Sequence, residues 1–120
     1  MMPGPERILV VDDAAMVRMV TRRMLESGGY EVLEAADAAE ALQVFERERP
    51  RLVLSDVGMP GMRGPELARA LRAIEPGVAV ILVSGSSEAQ PEGDRFLEKP
   101  FAIDTLLAAV RAALAAQPPR

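Results

Sequence analysis

Histidine and cysteine are absent from these 120 residues, so any chemistry must run on carboxylates, hydroxyls and a single lysine. That lysine is Lys99, in the stretch FLEKPF (96–101); every other cation is arginine. A compact ammonium on a flexible stem is a point charge that a wide, planar guanidinium cannot imitate. The aspartates are placed as selectively. Asp12-Asp13 closes the apolar run ILVV, Ser55-Asp56 closes RLVL, Ser84 closes VAVILV, and Lys99 follows RFL. Two carboxylates about 4 Å apart repel by roughly 4 kcal/mol at an effective dielectric near 20. Three gathered at one edge must therefore hold protons or a cation. Oxygen donors alone suit a hard ion, and Mg²⁺ typically takes one or two carboxylates together with phosphate oxygens. Carboxylate, Mg²⁺, lysine and hydroxyl together make a place where an aspartate can accept a phosphoryl group.

For these residues to meet, the chain must bring the ends of several strands to one edge. Short apolar runs at 8–11, 30–35, 51–54, 78–83 and 95–97 alternate with helical patterns. Met16, Val17, Val20, Met24 and Leu25 mark one helix face, closed by Gly28-Gly29. Ala41, Leu42 and Phe45 mark a second helix over 38–48, ending before Pro50. A third runs from Pro65 to Ile74, with the proline suited to a first helical position. The last spans 103–116 through Leu106, Leu107, Val110 and Leu114. Strand then helix, repeated, predicts an α/β fold with a doubly wound five-stranded parallel sheet. Near-continuous apolar strands such as VAVILV fit burial on both faces. In such sheets ligands bind beyond the carboxyl ends of the strands, where the polar residues fall. One unit breaks the rhythm: GSSEAQPEGD (85–94) contains Pro91 and Gly93, so the fourth helix is expected to be short or missing. The reading is one domain over 1–120, with a core at 6–116 and a tail or linker at 117–120.

Composition narrows the function. Without cysteine there are no disulfides or thiolate metal sites, and a reducing cytoplasm is the expected location. Without histidine there is no His-based triad and no phosphohistidine on this chain itself. The net charge of −4 runs against the basic footprint of a nucleic-acid binder. Arg18, Arg22, Arg23, Arg47, Arg49, Arg69 and Arg72 read as solvated faces among acids. No apolar run approaches the ~20 residues of a membrane span.

The motifs ILVVDD (8–13), LVLSDVGMPGMRG (52–64), VILVSG (80–85) and FLEKPF (96–101), in this order and spacing, resemble the receiver domain of two-component response regulators over essentially the whole chain. The resemblance implies a flavodoxin-like sheet of strand order 2-1-3-4-5. It implies that Asp56 is the phosphoacceptor, attacking a phosphohistidine on a histidine kinase or histidine phosphotransfer protein. It places Mg²⁺ on Asp12, Asp13, Asp56 and the backbone carbonyl of Gly58, and Lys99 on the phosphoryl oxygens. Ser84 takes the place of the switch hydroxyl and Phe96 that of the switch aromatic, and the Lys99–Pro100 bond is expected to be cis. Ala14 departs from the pattern, standing where the family often has an acid. The wording GPELARALRAIEPGVAVILVSG is similar to receivers attached to hybrid sensor kinases.

The expected role is thus a signalling phosphoacceptor in a phosphorelay rather than an enzyme with its own substrate. Its partners would be a phosphohistidine donor and a downstream protein, with no nucleic acid or membrane bound directly. The alternative is a phosphorylation-independent pseudo-receiver acting as a protein-binding module. A haloacid dehalogenase-type phosphatase fits less well, because it needs a D-x-D nucleophile motif and this chain has adjacent aspartates.

Overall fold

A computed structural model describes residues 5–85 and 94–118. The apolar runs become strands β1 (Arg7–Val11), β2 (Glu31–Ala35), β3 (Leu52–Asp56), β4 (Ala79–Ser84) and β5 (Arg95–Glu98), and the described helices are α1 (Ala15–Ser27), α2 (Ala38–Glu48), α3 (Gly64–Ile74) and α4 (Ile103–Ala115). All strand pairs are parallel and the order is β2-β1-β3-β4-β5, as expected. The short or missing helix expected between β4 and β5 falls on 86–93, outside the described residues.

Alternation along the central strands divides the core between the two faces of the sheet. Leu9, Val11, Val53, Val80 and Leu82 pack with Phe45 of α2 and with Leu67 and Leu71 of α3. Ile8, Val10, Leu52, Leu54, Ile81 and Val83 point the other way, toward Leu25 of α1 and Leu106 and Val110 of α4. Because β1, β3 and β4 are covered on both sides, their interiors are apolar, and after Arg7 at the start of β1 the polar residues wait for the carboxyl ends. That is what concentrates the chemistry at one edge.

Local signals set the helix ends. Asp37 caps α2 by accepting from the Glu40 backbone N–H at 2.8 Å, and the Glu40 carboxylate accepts from Ala36 N–H at 2.6 Å, a reciprocal cap. In α3 the helix starts at Gly64, one residue before the expected Pro65. Glycine is required at that point, because a Cβ there would lie 2.6 Å from the Asp56 carbonyl oxygen and 3.0 Å from Val57 Cα. The Lys99–Pro100 peptide is cis.

Gln117, read from the sequence as tail, is docked instead. Its side-chain amide donates to the carbonyls of Arg51 (2.8 Å) and Gly77 (3.0 Å), and its Oε1 accepts from Arg51 Nε at 2.7 Å. The amide thus ties the end of α4 to the amino-terminal edge of the sheet, opposite the acidic edge.

Candidate functional site

Strand register gathers the polar termini. Val11 is level with Ser55, Asp56 with Val83, and Ser84 with Glu98, so Asp12, Asp13, Asp56, Ser84 and Lys99 all emerge at one edge. One carboxylate oxygen from each of Asp12, Asp13 and Asp56 lies within 4.8 Å of the others, a grouping that could hold a metal ion. Asp12 is buried, Asp56 half-buried and Asp13 exposed, so the cluster runs from the sheet out to solvent.

Lys99 is the counter-charge. Its Nζ lies 2.9 Å from Asp12 Oδ2 and 3.3 Å from Asp56 Oδ1. Burial is the largest single influence on its ammonium and pulls the pKa down. The hydrogen bond and charge of Asp12, joined by those of Asp56, outweigh it and hold the pKa above the ordinary lysine value. The Lys99 backbone N–H donates to Ser84 O at 2.8 Å, which fixes the lysine to the end of β4.

Asp12 is held from two further sides. Its Oδ1 accepts from Ala14 N–H at 2.9 Å, at the start of α1, where the helix has no side-chain cap. Orphan amides at a helix start favour a carboxylate. Its carbonyl accepts from Arg18 Nη1 at 2.7 Å, and Arg18 Nε donates to Glu34 of β2 at 2.9 Å. Arg18 therefore braces the site rather than joining a solvated face. Glu34 also accepts from Arg22 at 2.7 Å. The Arg22 hydrogen bond, with help from Arg18, outweighs partial burial and lowers the Glu34 pKa, while Glu34 in turn raises that of Arg22.

The remaining expected residues are placed as follows. Gly58 lies in the exposed part of the loop after Asp56. Ser84 is half-buried at the end of β4. Phe96 is level with Leu82 and packs on the core face shared with α2 and α3, away from Lys99's carboxylates.

Arg18 was missed in the sequence because it carried no distinguishing signal, being one arginine among many. Thr21, on the inward stripe of α1 between Val17 and Leu25, is buried. Next to the site an open groove of about 420 Å³ runs along α1, lined by Met16, Val17, Val20 and Met24 with Pro100 and Phe101. Met16, Met19 and Val20 are exposed on this helix, Met16 to 69%.

The chain belongs to the response regulator receiver domain family, whose model matches residues 8–111. It is a receiver domain of the two-component signalling type. Response regulator MprA of Mycobacterium sp. (strain KMS) is 38% identical over 92% of this chain and 51% of its own length. The chain thus spans about half the length of the curated relatives it matches. Among solved structures, the receiver domain of the hybrid histidine kinase CckA is 43% identical, with TM-score 0.79 over 90% of this chain and 98% of that one. The response regulator TrrA of Thermotoga maritima, solved in complex with Mg²⁺-BeF, is 32% identical with TM-score 0.84, over 90% and 98%.

Proposed function

We propose that this receiver accepts a phosphoryl group on Asp56 from the phosphohistidine of a histidine kinase or histidine phosphotransfer protein. The observation that carries the reading is the convergence of Asp12, Asp56 and Lys99 from three separate strand ends onto one ion-paired cluster. In the transfer, an Asp56 carboxylate oxygen attacks phosphorus, the P–N bond breaks, and its electron pair returns to the donor's imidazole. The product is an acyl phosphate. Lys99, already 3.3 Å from Asp56, meets the charge on the phosphoryl oxygens without further reorganisation.

The donor set fits Mg²⁺: clustered carboxylate oxygens with no histidine or cysteine anywhere in the chain. Asp12, Asp13 and Asp56, with the Gly58 carbonyl, are the proposed ligands. TrrA, a relative in fold and sequence, was solved with Mg²⁺-BeF, which supports this choice. When bound, the ion supplies positive charge that offsets the carboxylates and the incoming phosphoryl oxygens.

Ser84 and Phe96 are proposed as the response. Ser84 donates to a phosphoryl oxygen and, through its carbonyl bond to Lys99, couples that movement to the loop before α4. Phe96, between the sheet and the α2/α3 core, repacks with β5. The donor must bring its phosphohistidine to Asp56, and the apolar groove on α1 beside Lys99-Pro100-Phe101 is where its surface would seat. A domain core of 6–116 and a cytoplasmic location complete the proposal. Among the described residues no helix is long and apolar enough to cross a membrane. The likeness to the CckA receiver supports a hybrid-kinase type of receiver. The ready-paired carboxylates and lysine weigh against a phosphorylation-independent binding module.

Incubation with acetyl phosphate and Mg²⁺, followed by intact-mass spectrometry, tests the reading. One phosphoryl group per chain is expected. None would mean a pseudo-receiver, and continuous turnover without a covalent product would mean a phosphatase.

A further inference from the structure

Asp12 is held through its backbone and its side chain alike. Its N–H donates to the Ala35 carbonyl at 3.2 Å. Oδ1 accepts from Ala14 N–H and Oδ2 from Lys99, both at 2.9 Å. Its carbonyl accepts from Arg18 Nη1 at 2.7 Å. β1 is paired only as far as Val11, which is level with Ala35 on one side and Ser55 on the other. The Asp12 carbonyl therefore lies past both ladders, and a side chain meets it. Asp13 is the opposite case. It is exposed, and no hydrogen bond or ion pair to a described residue holds its side chain. Even so, one of its carboxylate oxygens lies within 4.8 Å of those of Asp12 and Asp56.

What places Asp13 is the backbone. The peptide between Asp12 and Asp13 is planar, so the direction of the Asp12 carbonyl sets that of the Asp13 N–H and the line on which Asp13 leaves the strand. Arg18 fixes that carbonyl and is itself fixed. Its Nε donates to Glu34 Oε1 at 2.9 Å, while Arg22 Nη1 holds Glu34 Oε2 at 2.7 Å. A guanidinium can serve two partners at once because its nitrogens are set in one rigid fork. Glu34 belongs to β2, so the linkage runs from the neighbouring strand through α1 to the Asp12–Asp13 peptide. Glu34 also offsets the charge of Arg18. Direction, more than charge, is then what the guanidinium supplies to the acidic edge.

We propose that Arg18 is a positioning residue for the metal site: by holding the Asp12 carbonyl it sets the Asp12–Asp13 peptide plane and brings the Asp13 carboxylate to where, with Asp12 and Asp56, it takes Mg²⁺. The inference rests on the proposed Mg²⁺ site. It adds a residue whose own contacts are to a backbone carbonyl and to Glu34 rather than to the site's carboxylates. Partners that orient metal ligands without touching the ion typically change affinity about 10–100-fold when lost. The sign of the effect separates this role from a charge effect. Removing a cation from beside the carboxylates should, by electrostatics alone, strengthen the binding of another cation. Removing a positioning bond weakens it.

Calorimetric titration with Mg²⁺ at low ionic strength, where a charge effect is strongest, reads the difference without a phosphodonor. Arg18→Met keeps an unbranched stem and loses both contacts and the charge. In protein shown by circular dichroism to be folded, its Mg²⁺ affinity should fall about tenfold. A merely structural role would lower the urea midpoint and leave the affinity of the folded protein unchanged or higher; that result overturns the proposal. Arg18→Lys guards against loss of folding. It keeps the charge but brings one nitrogen where two are used, so it should bind Mg²⁺ severalfold more weakly than wild type. Wild-type affinity in this variant also overturns the proposal. A wild-type protein that binds no Mg²⁺ would instead overturn the metal site itself and this inference with it, so the two failures are told apart.

Discussion

Lys99 Nζ stands 2.9 Å from Asp12 Oδ2, joining residues 87 positions apart in the chain. Asp12 is buried, so this pair is the internal counter-charge of the acidic edge. Removing the lysine leaves a buried carboxylate beside a second one with nothing between them. Lys99→Met should therefore destabilise the metal-free domain by about 1–3 kcal/mol. Millimolar Mg²⁺ should recover most of this, because the ion then meets carboxylates that it no longer shares with an ammonium. Urea unfolding in EDTA and in Mg²⁺ checks both halves; an equal deficit in the two buffers would contradict the account. The sign with pH follows from the raised Lys99 pKa. Its stabilisation is complete below the unfolded value near 10.4 and is lost as pH rises through the folded one. The gap between wild type and Lys99→Met should thus narrow only in strong alkali.

Metal affinity should track the carboxylates. Asp13 is the exposed member of the cluster and makes no contact with Lys99, so Asp13→Asn removes a ligand with little effect on folding. Losing one charged ligand should weaken Mg²⁺ binding about tenfold or more, equivalent to at least about 1.4 kcal/mol. Calorimetry at fixed ionic strength measures it. Unchanged affinity would remove Asp13 from the site.

Much of this site could be read from the sequence because its residues end strands, and strand ends are marked by where apolar runs stop. Asp12, Asp13, Asp56, Ser84 and Lys99 are legible that way, and parallel pairing does the rest. Arg18 was not legible, since its role depends on Glu34 of a neighbouring strand and on a backbone carbonyl. The docking of Gln117 was hidden for the same reason: its partners, Arg51 and Gly77, are remote in sequence. The start of α3 at Gly64 was missed because the requirement there is absence of bulk against Asp56, which no periodicity records.

Gly64 gives the sharpest packing prediction. Gly64→Ala places a methyl group 2.6 Å from the Asp56 carbonyl oxygen, where backbone must give way. Overpacking of this kind costs about 1–3 kcal/mol. The shift is transmitted to the proposed phosphoacceptor, so uptake of phosphoryl should slow as well as the denaturation midpoint falling. A variant as stable and as reactive as wild type would show that α3 moves freely relative to β3.

The brace behind Asp12 should show as an acid-dependent loss of stability. The Glu34 pKa is lowered chiefly by its Arg22 hydrogen bond, with Arg18 contributing. Such a group stabilises the fold above its unfolded pKa near 4.3, and the contribution is lost as pH falls through the lower folded value. The stability difference between wild type and Glu34→Gln should therefore be constant above about pH 5 and shrink in stronger acid. A pH-independent difference would mean that the arginines hold the glutamine equally well.

Asp56 is the residue proposed to carry the phosphoryl group. Acyl phosphates are reduced by borohydride, which converts a phosphorylated aspartate to homoserine and leaves free carboxylates untouched. Treating the protein with acetyl phosphate and Mg²⁺, reducing, and mapping peptides by mass spectrometry locates the acceptor. Homoserine is expected at position 56 alone, and none when Mg²⁺ is withheld by EDTA. Homoserine at position 12 or 13, or none anywhere under conditions where Mg²⁺ is bound, would contradict that assignment.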